Sequence, residues 1–139
     1  MDVIESYNLT NAHIVGLYFS AQYCSYCKVF TPMLMSVYPH MRSNGIEIIY
    51  VASDKTIEDF HEYTQDHPWL LLPYEESKTD RATLRARFEI KTIPALLFFN
   101  ATTKELICSD GRERIRDAPN ETIQWLSEQV LSYDSDESF

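Results

Sequence analysis

Glycine is scarce in this chain of 139 residues, which has only Gly16, Gly45 and Gly111. Because these three lie far apart, there is no glycine-rich loop to cradle a nucleotide phosphate, and we expect chemistry without a cofactor. Long apolar runs are missing as well. The longest, residues 14–19 and 95–99, have the length of strands and fall far short of the roughly 20 residues that span a bilayer, so the sequence predicts no membrane segment.

Positive charge is also scarce. The chain has 12 Lys and Arg but 21 Asp and Glu, which gives a formal net charge of -9 at pH 7. Phosphate backbones and anionic lipid surfaces repel such a molecule, and we therefore expect neither nucleic acid nor a membrane as a partner. Residues 1–5 are acidic or apolar and lack the basic and apolar regions of a signal peptide. We expect a cytoplasmic protein, with the nucleus as a second location.

Cysteine occurs only three times, which is too few for a disulfide framework. Cys24 and Cys27 are separated by two residues, while Cys108 stands alone. In a reducing compartment a close pair is typical of catalytic or metal-binding sites. A zinc site needs two more ligands, and Cys108 and the four histidines form no second close pair. We expect no metal, and we interpret Cys108 as a small buried apolar residue.

Strands and helices alternate along the sequence, which predicts an α/β protein with a central mixed sheet. We expect one domain over residues 1–133 and a disordered acidic tail over residues 134–139. Strands are predicted at residues 3–6, Ile14–Ser20, Ile46–Ala52, 95–99 and 105–108. Helices are predicted from Ser25 to about Met41, from a cap at Thr56 to before His67, from a cap at Asp80 to Phe88, and from Pro119 onward.

The segment Cys24-Ser25-Tyr26-Cys27 lies where a predicted apolar strand meets a predicted helix. At such a junction, free backbone N–H groups and the positive end of the helix dipole point at the first cysteine. This arrangement favours the Cys24 thiolate, which is the nucleophile of thiol-disulfide exchange. Cys27, one turn further on, can close a disulfide. The spacing alone leaves a zinc half-site or two inert cysteines open.

Several segments resemble those of a known family. Residues 17–21 (LYFSA), the following CSYCK and then Pro32 resemble the thioredoxin superfamily. Residues 18–21, 49–54 (IYVASD) and 68–75 (PWLLLPYE), in this order, resemble the tryparedoxin and nucleoredoxin branch. The resemblance runs from about Ile14 to Trp125. It implies a thioredoxin-like three-layer sandwich, with a central mixed sheet and helices on both faces.

The resemblance also implies a substrate-binding surface around the cysteines. Ile93 and Pro94 are expected to form a cis-proline step that faces the cysteines, where the backbone of Ile93 pairs with the substrate chain. We assign Tyr23, Ser25 and Tyr26 to the same surface. They depart from the family pattern, because Tyr23 stands where tryptophan is usual and Ser25-Tyr26 replaces Pro-Pro or Gly-Pro.

A third departure concerns the proton of the second cysteine. Tyr18 stands at the place of the buried aspartate that assists proton transfer in thioredoxins, and this leaves water or Glu75 as the acceptor for Cys27.

Arg112 resembles an arginine near the substrate groove of tryparedoxins, although a surface arginine is the simpler interpretation. Three aromatic residues form either an apolar rim around the cysteines or part of the core: Tyr26, Trp69 and Tyr74.

The predicted function is a thiol-disulfide oxidoreductase that reduces protein disulfides, in which Cys24 attacks and Cys27 resolves the mixed disulfide. Its partners are disulfide-containing proteins, with a reductase or a low-molecular-weight thiol as electron donor. One alternative is a nucleoredoxin-like, redox-sensitive binding module with little turnover. Another is a glutaredoxin-like dimer that holds an iron-sulfur cluster through Cys24 of each chain, together with glutathione.

Overall fold

The computed structural model describes residues 12–137, with the backbone alone for residues 131–137. The strand predicted at residues 3–6 lies outside the described residues. The strands are β1 (Ile14–Ser20), β2 (Ile46–Ala52), β3 (Leu70–Leu71), β4 (Ala95–Asn100) and β5 (Leu106–Cys108). The helices are α1 (Ser25–Ser43), α2 (Ile57–Thr64), α3 (Lys78–Arg87), α4 (Gly111–Asp117) and α5 (Pro119–Glu137).

The five strands form one mixed sheet in the order β3-β2-β1-β4-β5. β1 at the centre pairs with β2 in parallel and with β4 antiparallel, and β5 runs antiparallel to β4. Every residue of β1 and β2 is buried, as expected for strands that are covered on both faces. The predicted mixed sheet is therefore confirmed.

Side chains of β1 alternate between two core clusters, one on each face of the sheet. Tyr18 belongs to the first cluster, and Leu17 and Phe19 belong to the second. Helices α1, α2, α4 and α5 contribute buried apolar side chains to the first cluster, while α3 contributes Leu84 to the second. Helices thus cover both faces, which confirms the predicted layers.

The sheet topology brings two distant segments together at one end of β1. β1 ends at Ser20, and the chain between it and α1 lies at this carboxyl end of the strand. β4 is antiparallel to β1 and pairs its first residue, Ala95, with Phe19. The start of β4 therefore lies beside the end of β1, which places Pro94 close to the beginning of α1.

One predicted helix start is wrong. Asp80 lies in the first turn of α3 and does not cap it, because a turn in which the Ser77 N–H donates to Pro73 O (3.0 Å) leads directly into a helix that begins at Lys78.

Gly111 is the first residue of α4. There a Cβ would lie 2.5 Å from the carbonyl oxygen of Leu96, so only glycine lets the helix approach β4 this closely.

The last helix continues to Glu137 and so includes the first four residues of the predicted acidic tail. No glycine or proline interrupts the sequence there, and either residue is the usual signal for a helix end. The single-domain boundary and the disorder of the tail stay predictions. Among the described residues, no helix has the combined length and apolar character required to cross a bilayer.

Candidate active site

Cys24 is the residue that caps the N-terminus of α1. Its backbone is extended (φ -90°, ψ 114°), and its Sγ accepts a hydrogen bond from the Cys27 N–H at 3.1 Å. The first N–H groups of a helix lack backbone acceptors, and the helix dipole favours negative charge at this end. The fold therefore puts the Cys24 sulfur where a thiolate is stabilised.

The two cysteines differ sharply in exposure, although both are free thiols. Cys24 retains 9% of its surface, whereas Cys27 has none. On either side of the pair, Tyr23 is 51% exposed and Tyr26 is 70% exposed, and Ser25 is exposed as the first residue of α1. A disulfide of another molecule can reach Cys24 across this surface but cannot reach Cys27.

The pKa values of the other two thiols, Cys27 and Cys108, are both raised. Burial and, to a smaller extent, a hydrogen bond with Cys24 raise the pKa of the Cys27 thiol to about 12, against an opposing contribution from Ser20. Burial also raises the pKa of Cys108 to about 11, with a contribution from the negative charge of Asp110. Both thiols are thus protonated near neutral pH, so neither offers a ready thiolate to an external reagent.

We expect iodoacetamide at pH 7.5 to alkylate the reduced chain first at Cys24. The helix N-terminus stabilises that thiolate and the reagent can reach it. Cys27 and Cys108 should therefore react at no more than about one tenth of the rate of Cys24. Peptide mapping by mass spectrometry after timed quenching measures the three rates. Labelling of Cys108 at the rate of Cys24 would contradict this interpretation of the site.

The Ile93-Pro94 step borders the Cys24 sulfur. The peptide bond between these residues is cis, and the Cys24 thiol donates a hydrogen bond to the carbonyl oxygen of Ile93 at 3.6 Å. The side chain of Ile93 packs against the second core cluster, so the backbone of the step remains the part that faces the cysteine. These are the two residues that the family resemblance predicts opposite the cysteines.

Cationic side chains line two cavities beside this step. A cavity of about 280 Å³ is bordered by Pro94, Lys91 and Arg112, and one of about 360 Å³ by Tyr23, Arg85 and Lys91. The guanidinium carbon of Arg112 lies 6.0 Å from the centroid of the exposed Tyr26 ring, at the outer limit of a cation-π contact. Arg112 therefore belongs to the active-site rim and is not a remote surface residue.

Of the three aromatic residues considered for the rim, only one is exposed. Tyr26 lies at the surface, but Trp69 is 4% exposed and packs edge-on against Tyr18 with 5.7 Å between ring centroids. Tyr74 is half-buried, packs on Phe60, and donates a hydrogen bond to Asp54 O at 2.7 Å. Trp69 and Tyr74 are therefore core residues.

Four hydroxyl groups join in a network beneath Cys27, and the sequence singled out only one of them, Tyr18. Ser20 Oγ lies 3.1 Å from Tyr63 OH, Tyr63 OH lies 2.7 Å from Thr31 Oγ1, and Thr31 Oγ1 lies 2.6 Å from Tyr18 OH. Tyr18 and Tyr63 both interact electrostatically with Cys27, which places the network near that thiol. These residues come from β1, α1 and α2, so no local sequence signal connects them.

Glu75, which the sequence offered as a proton acceptor, is exposed in the segment between β3 and α3. The groups that act on the Cys27 thiol are Cys24, Ser20 and Ala21. Among the side chains of residues 12–130, no three His, Cys, Asp or Glu are grouped so that they could hold a metal ion.

A model of the thioredoxin-like family matches residues 11–105. The chain belongs to this family. Tryparedoxin of Trypanosoma brucei brucei is 36% identical to it over 107 residues, which make up 76% of this chain and 74% of that protein. The structure of tryparedoxin II complexed with glutathionylspermidine is similar with a TM-score of 0.76 and 31% identity, and the match covers 80% of this chain and 78% of that one.

Nucleoredoxins also resemble this member of the thioredoxin-like family. Nucleoredoxin of Homo sapiens is 34% identical over 131 residues, which make up 92% of this chain but 29% of that protein. The chain thus spans under a third of the nucleoredoxin it matches. Together the comparisons confirm the predicted tryparedoxin and nucleoredoxin branch and its thioredoxin-like fold, and they make the protein an oxidoreductase of this family.

Proposed function

We propose that the protein is a thiol-disulfide oxidoreductase that reduces protein disulfides through Cys24 and Cys27. The observation that carries the proposal is the contrast between the two sulfurs. Cys24 sits at the N-terminus of α1 and can be reached from outside, while Cys27 is buried one turn further along the same helix. Thiol-disulfide exchange requires an attacking sulfur that the substrate can reach and a resolving sulfur close to it.

In the first step, the Cys24 thiolate attacks one sulfur of the substrate disulfide. The substrate S–S bond breaks, one substrate sulfur leaves as a thiolate, and a mixed disulfide forms. Cys27 then loses its proton and attacks the Cys24 sulfur, so the second substrate thiolate leaves and the Cys24–Cys27 disulfide remains. The substrate gains two electrons, and an external thiol must return two electrons to the protein.

The backbone at Ile93, together with Tyr23, Ser25 and Tyr26, is the proposed binding surface for the substrate chain. Exposed aromatic rings provide contact area at low entropic cost, and a free backbone segment can pair with an extended peptide. The electron donor is either a flavoprotein reductase or a low-molecular-weight thiol. The complex of a related tryparedoxin with glutathionylspermidine supports the second class, and a cytoplasmic location is part of the same proposal.

Insulin reduction tests the proposal. With dithiothreitol as donor, the chain should accelerate the precipitation of insulin B chain well above the rate with dithiothreitol alone. The matched control is the same chain after alkylation in the reduced state, which blocks Cys24 and should remove the acceleration. If the untreated chain is no faster than dithiothreitol alone, protein-disulfide reduction is ruled out as its function.

A redox-sensitive binding module is the second candidate function. It is favoured by three exposed apolar side chains near the cysteines, because Val29 is 72% exposed in addition to Tyr23 and Tyr26. Such a module would not accelerate insulin reduction, and its affinity for alkylated insulin B chain would change when the Cys24–Cys27 disulfide forms. Fluorescence anisotropy of the labelled peptide with the oxidised and the reduced chain separates the two functions.

A further inference from the structure

A group of positively charged side chains lies beside the active site, although the chain as a whole is acidic. The group consists of Lys55, Arg85 and Lys91. Three of the twelve Lys and Arg side chains form ion pairs within the described residues, and none of these three belongs to the group. The positive charges of the group are therefore not neutralised by a described carboxylate in direct contact.

The cavity of about 360 Å³ places two of these cations next to the attacking sulfur. Arg85 and Lys91 line it together with Tyr23 and Ile93. Tyr23 directly precedes Cys24 in the chain, and the carbonyl oxygen of Ile93 accepts the hydrogen bond of the Cys24 thiol at 3.6 Å. The cavity therefore adjoins the place where a substrate disulfide must lie when Cys24 attacks it.

The charge around this cavity is positive. Among the described residues that line it, Asp54 supplies the one carboxylate. Asp54 is 4% exposed, and its two oxygens accept hydrogen bonds at 2.6 Å from the Gln22 N–H and the Tyr50 hydroxyl. Arg81 also lines the cavity, but its guanidinium already donates to three neighbouring oxygens. The buried Asp54 and Arg81 thus leave the two outer cations to meet a ligand.

These outer cations keep donors available for an anion. Lys91 is exposed and makes no hydrogen bond or ion pair with the described residues. Arg85 donates one long hydrogen bond, from Nη1 to Ala52 O at 3.3 Å, and a guanidinium has five N–H donors. The Lys55 ammonium lies 4.8 Å from the centroid of the Tyr23 ring and extends the positive surface. Carboxylates are strong acceptors for both kinds of donor.

We propose that this cavity binds an acidic side chain close to the cysteine of a substrate protein. The inference rests on the proposed function and names its substrate class, protein disulfides with Asp or Glu beside a cysteine. An extended chain advances about 3.3 Å per residue, so an acidic residue within about three positions of the substrate cysteine lies within about 10 Å of it. A long polyanion such as nucleic acid is a poorer ligand, because the excess of acidic residues in the chain repels it.

Rates of attack on matched peptides test this preference. Two acetylated and amidated peptides carry one cysteine as a 2-pyridyl disulfide and differ only in Glu or Gln on both sides of it. Release of pyridine-2-thione gives the second-order rate constant of the reduced chain. We expect the Glu peptide to react about fivefold faster at low ionic strength. The difference should shrink at 1 M NaCl, where the screening length is about 3 Å.

Dithiothreitol is the reference for the intrinsic reactivity of the two peptides. Its thiolate is an anion with no positive surface beside it, so it should attack the Glu peptide more slowly than the Gln peptide. The preference of the protein is the ratio of its two rate constants divided by the same ratio for dithiothreitol.

Reversal of one charge makes the test specific for the cavity. In Lys91→Glu a carboxylate replaces the ammonium, so a third peptide with Lys beside the cysteine should react faster than the Glu peptide. Lys104→Glu is the matched control, because it makes the same change of charge between β4 and β5, at the end of β4 away from Ala95. It should keep the order of the wild type. A general loss of structure lowers all rates and does not reverse their order.

The outcomes separate this inference from the proposed function. Equal corrected rates for the Glu and Gln peptides in the wild type, or an unchanged order in Lys91→Glu, overturn the acidic-substrate site. The proposed function is tested by the second step, in which Cys27 must release the peptide from its mixed disulfide with Cys24. If mass spectrometry shows that the peptide stays bound to the wild type, the proposed function fails whatever the order of the rates.

Discussion

Replacement of Cys24 by serine should abolish insulin reduction and leave only the dithiothreitol background. A serine hydroxyl at the N-terminus of α1 still accepts the hydrogen bond that caps the helix, so the fold should survive. The hydroxyl is not ionised near neutral pH and is a weak nucleophile without a neighbouring base. The loss of activity should therefore be complete within the sensitivity of the turbidity assay.

Two further variants make this result specific. Cys27→Ser keeps the attacking sulfur and lacks the resolving one, so it should accumulate a covalent mixed disulfide with substrate, detectable by non-reducing electrophoresis and mass spectrometry. Cys108→Ser is the matched control, because Cys108 is the third free thiol and lies in β5. It should keep wild-type turnover, and an equal loss in Cys24→Ser and Cys108→Ser would contradict the assignment of the nucleophile.

Arg81→Met should produce a large loss of stability. Arg81 is 5% exposed, and its guanidinium donates hydrogen bonds to Ala52 O (2.8 Å), Tyr74 O (2.7 Å) and Ser77 Oγ (3.0 Å). Methionine fills similar space but donates nothing, so buried acceptors lose their partner. Hydrogen bonds to charged groups contribute about 1.5–3 kcal/mol each, and we expect the free energy of unfolding to fall by about 3 kcal/mol.

Arg85→Met is the matched control for this measurement. Arg85 follows one turn later on α3 and is more exposed, and it reaches Ala52 O only at 3.3 Å. A single long hydrogen bond at the surface contributes little, so its loss should cost under about 1 kcal/mol. Urea unfolding followed by circular dichroism gives both values. Equal losses in the two variants would contradict the structural role of Arg81.

Through these hydrogen bonds Arg81 connects the end of β2 to the segment after β3. This connection lies at the end of the sheet where the active site is found. The same region holds Asp54, which accepts hydrogen bonds from the Gln22 N–H and from the Tyr50 hydroxyl, both at 2.6 Å. Gln22 lies two residues before Cys24. A looser end of β2 should therefore also reduce the rate of insulin reduction in Arg81→Met.

Much of the fold was predictable because its signals are local. β1 and β2 are rich in apolar residues, with Glu47 as the only charged residue in the two strands, and their observed bounds agree with the prediction. Thr56 caps α2 and accepts the N–H of Asp59 at 3.1 Å, as the spacing of these residues predicts. The helix α4 gave no such signal, because Ile115 is its one buried apolar side chain among charged neighbours.

The active site also combines features that local sequence predicts with features that depend on tertiary packing. The spacing of Cys24 and Cys27 at a predicted strand-helix junction is a local pattern, and the structure places Cys24 at the helix start as that pattern predicts. The placement of Arg112 beside Tyr26 is not local, since α4 must pack on β4 to bring them together. Trp69 is a second example, because the sequence left it open between the rim and the core, and packing against Tyr18 places it in the core.

Composition, local pattern and the family resemblance predict the class of chemistry, because a cysteine pair at a helix start is a property of four neighbouring residues. Which groups stand around that pair depends on strands and helices that meet from distant parts of the chain. Ser20, Thr31 and Tyr63 converge below Cys27 from three different elements. Sheet pairing and helix packing create this juxtaposition, so only the tertiary fold decides which groups surround the buried thiol.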